Sequence, residues 1–330
     1  MSSAAGLPRA VIGGGSGYLG SALRDALRVD GYDVRTIGRG GDADARWGDE
    51  DGIRRLIDGA ALVIGLAGRR IDCRYTDRNR DEILRSRVRT TAALHRTIST
   101  VAHPPAVWMN GSSATAYRYS LDTPRTEADP LDERGFSCDV TREWEAALFA
   151  GELPDTRRIA LRTSLVLGRG APVMTMLLRL ARLGLGGPQY DGWWFPHRRY
   201  RGIGSHPTEP VRPDYERSRG RQRLSWMHEQ DFVQAVRFLR DHDEIAGPVN
   251  MASPNAVTNI ALMRALRQAV RAPFGLPAPR FVLEPGMAVL RTESELILKS
   301  RWVLPQVLED AGYVFRFPEL DGAVRAIVGR

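Results

Sequence analysis

The chain has 330 residues, 43% of them hydrophobic, which suffices for one large domain or two unequal ones. No apolar run approaches the roughly 20 residues needed to span a bilayer, the first residues lack the regions of a signal peptide, and Cys73 and Cys138 show no metal-ligand spacing, so neither membrane nor metal is expected and the setting reads as cytoplasmic. The net charge of +8 comes almost wholly from arginines (Lys299 is the one lysine) interleaved with acids, as in "RNRDEILRSRVR", which describes ion-paired helix faces rather than a nucleic-acid surface.

Short apolar runs alternate with helix-period segments through the first half. "RAVIGG" reads as a strand, "YLGSALRDALRVDG" as a helix ending at Gly31, "YDVRTIGR" as the second strand and "DEDGIRRLIDG" as a helix. The third strand is "ALVIGLAG"; a long helix, "DRNRDEILRSRVRTTAALHRTIST", precedes the strand "AVWMNGSS". "VTREWEAALFAG" is a helix and "TRRIALRTSLVLG" the next strand. Strands joined by helices of this length need crossover connections, which give an α/β fold with a Rossmann-type doubly wound parallel sheet. The near-continuously apolar strands fit burial on both faces.

After Gly168 the regularity fails. "PVMTMLLRLARLGLGG" reads as a helix, followed by an arginine- and aromatic-rich stretch over residues 193–223. "LSWMHEQDFVQAVRFLRDH", "GPVNMAS" and "TNIALMRALRQAVRA" restore order, and the tail reads as two helical pieces around an apolar strand, "YVFRF". Residues 1–168 are therefore assigned to the sheet domain, with 226–253 returning to it. Residues 169–225 and 254–330 form a smaller C-terminal α/β region on the substrate side.

In "AVIGGGSGYLG", Gly14, Gly17 and Gly20 lie three apart, directly after the first strand and opening the first helix. Gly14 permits the tight turn, Gly17 lets a phosphate approach the backbone, and Gly20 lets the helix pack close to the sheet. The stretch reads as a dinucleotide cradle, with a glycine turn made only for packing as the alternative. At the end of the second strand an acid would hold the ribose hydroxyls of NAD. "VRTIGRGG" puts Arg39 there instead, which suits a 2′-phosphate, so NADP(H) is the cofactor expected.

Taken in order, "GGGSGYLG", "GLAGRRI", "DEILRSRVRTTAAL", "NGSSATAYRY", "LRTSLVLGRG", "LGLGGP", "SWMHEQDFV", "GPVNMASPNAVTN" and "RWVLPQVLEDAGYVFRFPEL" resemble the extended short-chain dehydrogenase/reductases. Within them the chain is most similar to the epimerase family branch that carries a C-terminal domain of unknown function. The resemblance covers nearly everything except residues 193–223. It implies cofactor contacts at Gly14, Gly15, Ser16, Gly17, Tyr18 and Leu19, at Arg39, at Ala67 and Gly68, at the strand end Ser112–Ser113, and at Thr163 and Leu165 near the nicotinamide.

Enzymes of that superfamily generally pair a helical tyrosine with a lysine four residues later. Alignment through Glu145 puts Ser137 at the tyrosine position and Thr141 at the lysine position, so the dyad is absent. Arg87 stands where a proton-relay asparagine is often found; it cannot accept a proton but can hold a phosphate or carboxylate, and a plain surface arginine is the equal alternative. Ser113 keeps the serine position and can polarise a carbonyl. Tyr117 is expected to enter the same cleft as a weak general acid with its pKa lowered by Arg87, or else to pack beneath the loop. His228 reads as structural, with Asp231 capping the helix that follows.

Residues 193–223 hold eight arginines against three acids, with Trp193, Trp194, Phe195, Tyr200 and Tyr215 among them. Such a loop suits stacking on a planar, anionic ligand, which makes a lid over the substrate the favoured reading, ahead of a homodimer contact or a disordered tether. The function expected is an NADP(H)-dependent oxidoreductase that reduces an activated carbonyl or imine of a small molecule without the dyad. A non-catalytic NADP(H)-binding sensor or scaffold is the alternative. A sugar-nucleotide epimerase ranks last, because the lysine it needs is missing.

Overall fold

Along the chain, the computed structural model, which describes residues 6–133, 135–203 and 217–329, begins β1 (Arg9–Gly13), α1 (Tyr18–Val29), β2 (Asp33–Gly38), β3 (Ala45–Arg46), α2 (Glu50–Ile57) and β4 (Leu62–Gly65). It continues α3 (Asp77–Ile98), β5 (Val107–Ser113), α4 (Phe136–Leu148), β6 (Arg157–Thr163), β7 (Leu165–Leu167) and α5 (Pro172–Arg182). Then come β8 (Arg223–Leu224), β9 (Trp226–His228), α6 (Glu229–Asp241), β10 (Gly247–Met251), β11 (Val257–Thr258) and α7 (Asn259–Val270). The last elements are α8 (Arg280–Val289), α9 (Glu295–Leu298), α10 (Gln306–Asp310) and α11 (Leu320–Val328).

Seven strands form one parallel sheet in the order β10-β6-β5-β4-β1-β2-β3. Side chains alternate across it. Ile12, Ile64, Met109 and Leu161 pack on the face covered by α1 and α6, while Val11, Val63, Trp108 and Ala160 pack on the face covered by α2 and α3. All eight are fully buried, so the strands are apolar on both sides, as a parallel sheet between helix layers requires. A second core holds α5, α7 and α11 together around Leu177, Leu266 and Val324, capped by Leu167 and Trp226.

Three local readings of the sequence are corrected. "TRRIALRTSLVLG" is two strands: Ser164 donates its N–H and its hydroxyl to the Met251 carbonyl (3.1 and 2.7 Å), and β7 leaves the main sheet to pair with β9. "YVFRF" is no strand, because the N–H groups of Arg316 and Phe317 donate to the Asp231 carboxylate (2.7 and 2.9 Å) and Tyr313 donates its hydroxyl to the Asp231 carbonyl. Asp231 is thereby spent on the tail, and α6 is capped by His228, whose Nδ1 accepts from the Gln230 N–H at 3.1 Å. Burial pushes the His228 imidazole down to about 4, which fits a neutral structural cap.

The described flanks of the 193–223 stretch are anchored at a few points while Trp193 and Phe195 stay exposed. Arg80 of α3 donates to the carbonyls of Arg199, Arg201 and Gly202, and Arg199 is buried against Glu284 of α8. The centre of the expected lid, residues 204–216, lies outside the described residues. Among the described residues no helix is long and apolar enough to cross a membrane.

Candidate functional site

The sheet reverses its winding between β1 and β4, and the crevice at the C-terminal ends of these strands is where open α/β sheets take ligands. The glycines at its mouth have distinct tasks. Gly14 has φ +88°, and a Cβ there would stand 2.9 Å from the Ala67 nitrogen, so the β1 and β4 loops touch only because it is glycine. At Gly20 a Cβ would press to 2.3 Å from the Gly14 carbonyl oxygen, fixing how closely α1 meets the loop. Gly17 differs: its φ is −74°, and a Cβ would meet nothing nearer than the Gly14 oxygen at 3.4 Å. It is the N-cap of α1, with no side chain bonded to the first-turn N–H groups and no acid in that turn. The helix thus offers bare donors and the positive end of its dipole to open space, which fits a diphosphate.

The other expected cofactor residues divide by where their side chains go. Ser16 is exposed in the turn, and Gly15 is buried with Thr36 pressed where its Cβ would be. Tyr18 sends its hydroxyl across to Glu229, under Gly168, and Leu19 packs into the sheet core, so only their backbone faces the cradle. Gly68 is exposed beside the Arg87 guanidinium. Thr163 donates its hydroxyl to the Leu161 carbonyl, and Leu165 is half-buried at the start of β7. Arg39 is exposed just beyond β2. Asp44, in the loop that follows, is turned back onto the Thr36 N–H (2.8 Å) and Arg35 (3.2 Å).

Beneath the strand ends lies a buried polar chain. Ser112 donates its hydroxyl to Glu145 of α4 (2.5 Å), and Glu145 receives both Nε and Nη2 of Arg162 from β6 (2.9 and 2.8 Å). Arg162 Nη1 donates to the Tyr117 oxygen (2.6 Å), and Tyr117 donates to Asn250 Oδ1 in β10 (2.9 Å). Tyr117 is 1% exposed, which corrects the expectation that it enters the cleft. The nearest cation is Arg162, not Arg87, and burial outweighs it, pushing the phenol up to about 12. This tyrosine fastens the strand ends together and is no proton donor to the crevice.

Ser113 is the last residue of β5, next to Ser112 of the buried chain. It is half-buried at the end of β5, accepts from the Thr115 N–H at 3.2 Å and shares a hydrogen bond with the Thr115 hydroxyl at 2.9 Å. When Thr115 donates in that pair, the Ser113 hydrogen is left for a ligand. Arg87 stands midway along α3: it donates to the carbonyls of Arg69 (3.0 Å) and Ile83 (3.1 Å) and lies over the Trp144 ring at 5.0 Å. Burial pushes it down to about 10, so it pins the Ala67–Arg69 loop as a cation.

Sequence reasoning missed Lys299. Its ammonium is buried beside α4, donating to Glu133 (2.9 Å), the Thr115 carbonyl (3.2 Å) and Cys138 Sγ (3.2 Å), one residue from the vacant tyrosine position at Ser137. Tyr75, from the loop before α3, is buried against Phe136 and hydrogen-bonded to Ser137. No local signal reveals either, since Lys299 and Cys138 are 161 residues apart. A cavity of about 380 Å³ lined by Tyr190, Asp191, Arg217 and Arg219 opens on the C-terminal side. It is linked toward Lys299 by Tyr119, whose hydroxyl donates to Asp191 (3.2 Å) and whose N–H donates to Glu133 (2.7 Å). A larger cleft of about 770 Å³ runs from Arg9, Arg28 and Asp33 along β2 to Thr36, Asp42 and Asp44.

Residues 10–252 match the NAD dependent epimerase/dehydratase family, and residues 278–327 match a domain of unknown function, DUF1731. The chain is 30% identical over 328 residues to the mouse epimerase family protein SDR39U1, covering 97% of this chain and 99% of the relative. It is 26% identical to the epimerase family protein YfhF of Bacillus subtilis, covering 96% of each. Among solved structures, human SDR39U1 crystallised with NADPH superposes with a TM-score of 0.81 at 26% identity, covering 98% of this chain and 99% of that one.

Proposed function

The chain belongs to the NAD dependent epimerase/dehydratase family, and from that premise we propose that it is an NADP(H)-dependent oxidoreductase of atypical short-chain dehydrogenase/reductase type, reducing an activated carbonyl or imine of a small molecule. The observation that carries this reading is the bare N-terminus of α1 facing the open side of Gly17, with Arg39 exposed at the end of β2. The NADPH in the human relative's crystal supports the same cofactor.

Bound NADPH supplies a hydride donor. Gly14–Leu19 hold its diphosphate through backbone N–H groups, Arg39 its 2′-phosphate, and Ala67 and Gly68 the next stretch, with Arg87 keeping their loop in place. Ser113 polarises the substrate's carbonyl or imine, and water delivers the proton. An already activated substrate suits this site, because oxidising an alcohol needs a base and neither Ser137, Thr141 nor the buried Tyr117 provides one. The cavity walled by Tyr190, Arg217 and Arg219 favours a planar, anionic substrate, its one acid, Asp191, being engaged by Tyr119 and the Ser218 N–H. Two free cysteines suit a reducing, cytoplasmic setting.

A second reading is a non-catalytic NADP(H)-binding protein. It is favoured by the saturation of Tyr117 and Lys299 with partners inside the protein.

Gly17→Ala tests the cradle. Because the added methyl meets no atom closer than 3.4 Å, the variant folds, and trading glycine for alanine at the N-cap lowers its unfolding midpoint by no more than a few degrees. NADPH affinity, read by cofactor fluorescence, falls by at least about tenfold. Unchanged affinity would remove the diphosphate from this turn.

A further inference from the structure

Arg87 is a half-buried cation with no anion to answer it. Its Nη1 is fixed by the carbonyls of Arg69 and Ile83, and its guanidinium lies over the Trp144 ring. Trp144 is fixed in turn. Its Nε1 donates to Thr91 at 2.9 Å, and its ring fills the space beside Gly111, where a Cβ would stand 2.9 Å from Cη2. Gly68 also lies against Arg87, since a Cβ there would stand 3.2 Å from the Arg87 Cζ. The guanidinium is thus held by the loop that leaves β4 and, through Trp144, by the C-terminal half of β5.

What it lacks is a counter-charge. Other arginines drawn into the interior have one: Arg162 takes Glu145, and Arg199 and Arg280 take Glu284. Arg80, held by three carbonyls, has Asp77 and Glu295 acting on its charge. Around Arg87 the acids are engaged elsewhere, Asp72 by Arg70 and Glu82 by Arg69 and Arg78. The ionisable groups that act on it are Tyr75 and Cys73, and burial raises both, so each is neutral at neutral pH. A charge taken from water without its opposite is costly, which is why burial pushes Arg87 down to about 10.

The unused edge of the guanidinium has the shape of the missing partner. Nε and Nη2 make no hydrogen bond among the described residues, yet neither is sealed from solvent. Their N–H bonds run parallel, at a spacing that fits the two oxygens of one carboxylate. Arg162 shows the same edge in use, with Nε and Nη2 on the two oxygens of Glu145 at 2.9 and 2.8 Å. The cofactor's diphosphate is provided for by the bare N-terminus of α1, which leaves this edge to the substrate.

We propose that the Nε–Nη2 edge of Arg87 binds a carboxylate of the substrate, so that the carbonyl or imine reduced belongs to an oxo or imino acid. The proposal rests on the reductase reading above and adds the charged group by which the substrate is recognised.

Calorimetric titration of the full chain saturated with NADP+ tests it, with phenylglyoxylate and pyruvate as the acids and their methyl esters as uncharged counterparts. The oxidised cofactor lets the acids bind without being consumed. The wild type binds at least one acid in the millimolar range or tighter, and the matching ester at least about tenfold more weakly. Arg87→Lys, which keeps the charge and loses the fork, weakens acid binding by at least about tenfold while NADPH affinity changes by no more than about threefold. Arg85→Gln, at an exposed arginine of the same helix paired with Asp81, changes neither. The comparison of acid with ester on the wild type needs no variant, so a misfolded Arg87→Lys leaves the test decisive. Neither acid bound in the millimolar range, an ester bound as tightly as its acid, or acid binding indifferent to Arg87→Lys overturns the proposal. Equal loss of NADPH and acid in that variant overturns it in favour of a cofactor phosphate. The reductase reading fails separately: acid bound through Arg87 with no NADPH oxidation sinks that reading and leaves this site, and oxidation driven only by uncharged carbonyls does the reverse.

Discussion

Replacing Arg162 by methionine destabilises the fold by about 3–5 kcal/mol, because it strands the buried carboxylate of Glu145 without its cation. Glu145 and Arg162 are both less than a tenth exposed and joined by two nitrogen–oxygen contacts of 2.9 and 2.8 Å. The same change takes from Tyr117 the donor at its oxygen. Removing both charges together in Arg162→Met/Glu145→Leu costs much less than the single changes add up to, since an apolar pair needs no solvation. Chemical unfolding followed by circular dichroism decides it. A single-variant cost below about 1 kcal/mol would mean that water already compensates Glu145 and that the chain from Ser112 to Asn250 does not set the strand ends.

Arg39→Asp lowers affinity for NADPH by about one to two orders of magnitude and leaves NADH within about threefold. One charge-assisted contact to a phosphate contributes roughly 1.5–3 kcal/mol, and reversing the charge adds repulsion. The structure sharpens this expectation in two ways. Asp44 is held by Thr36 and Arg35, so it does not compete for the ribose. Arg46 on β3 is also exposed and reaches the same loop, its Nη2 lying 3.8 Å from where a Cβ on Gly41 would stand. Arg46→Ala accordingly gives a smaller loss, in the same direction. Equal weakening of NADPH and NADH by Arg39→Asp would take the 2′-phosphate away from this loop.

Much of the molecule was legible from residues alone, for physical reasons that can be named. Near-continuously apolar runs of four to seven residues, each between helix-period segments, leave few alternatives to a parallel sheet. The glycines of the cradle declare themselves because Gly14 and Gly20 meet backbone atoms that no side chain could displace. What escaped was whatever depends on partners distant in the chain. "YVFRF" has a strand's alternation, yet Asp231 takes its N–H groups. Pro285 and Gly286 argue against a helix at α8, yet Arg280 and Glu284, one turn apart and buried together, sustain one. Tyr117 sits in the sequence where a catalytic group would suit, and only the fold brings Arg162 and Asn250 to its hydroxyl. Lys299, remote in sequence from the missing dyad, turns out to be anchored beside it, where it ties Glu133, Thr115 and Cys138 to the C-terminal region.

The central claim is that this crevice performs reduction with NADPH although the dyad is gone. Its most direct test is NADPH consumption, followed at the reduced nicotinamide's absorbance, against a panel of activated carbonyls and imines that includes planar anionic members. At least one panel member drives NADPH oxidation by the wild type, and Gly17→Ala loses that activity. Tight NADPH binding with no oxidation by any member would contradict the claim and leave a protein that binds the cofactor without using it.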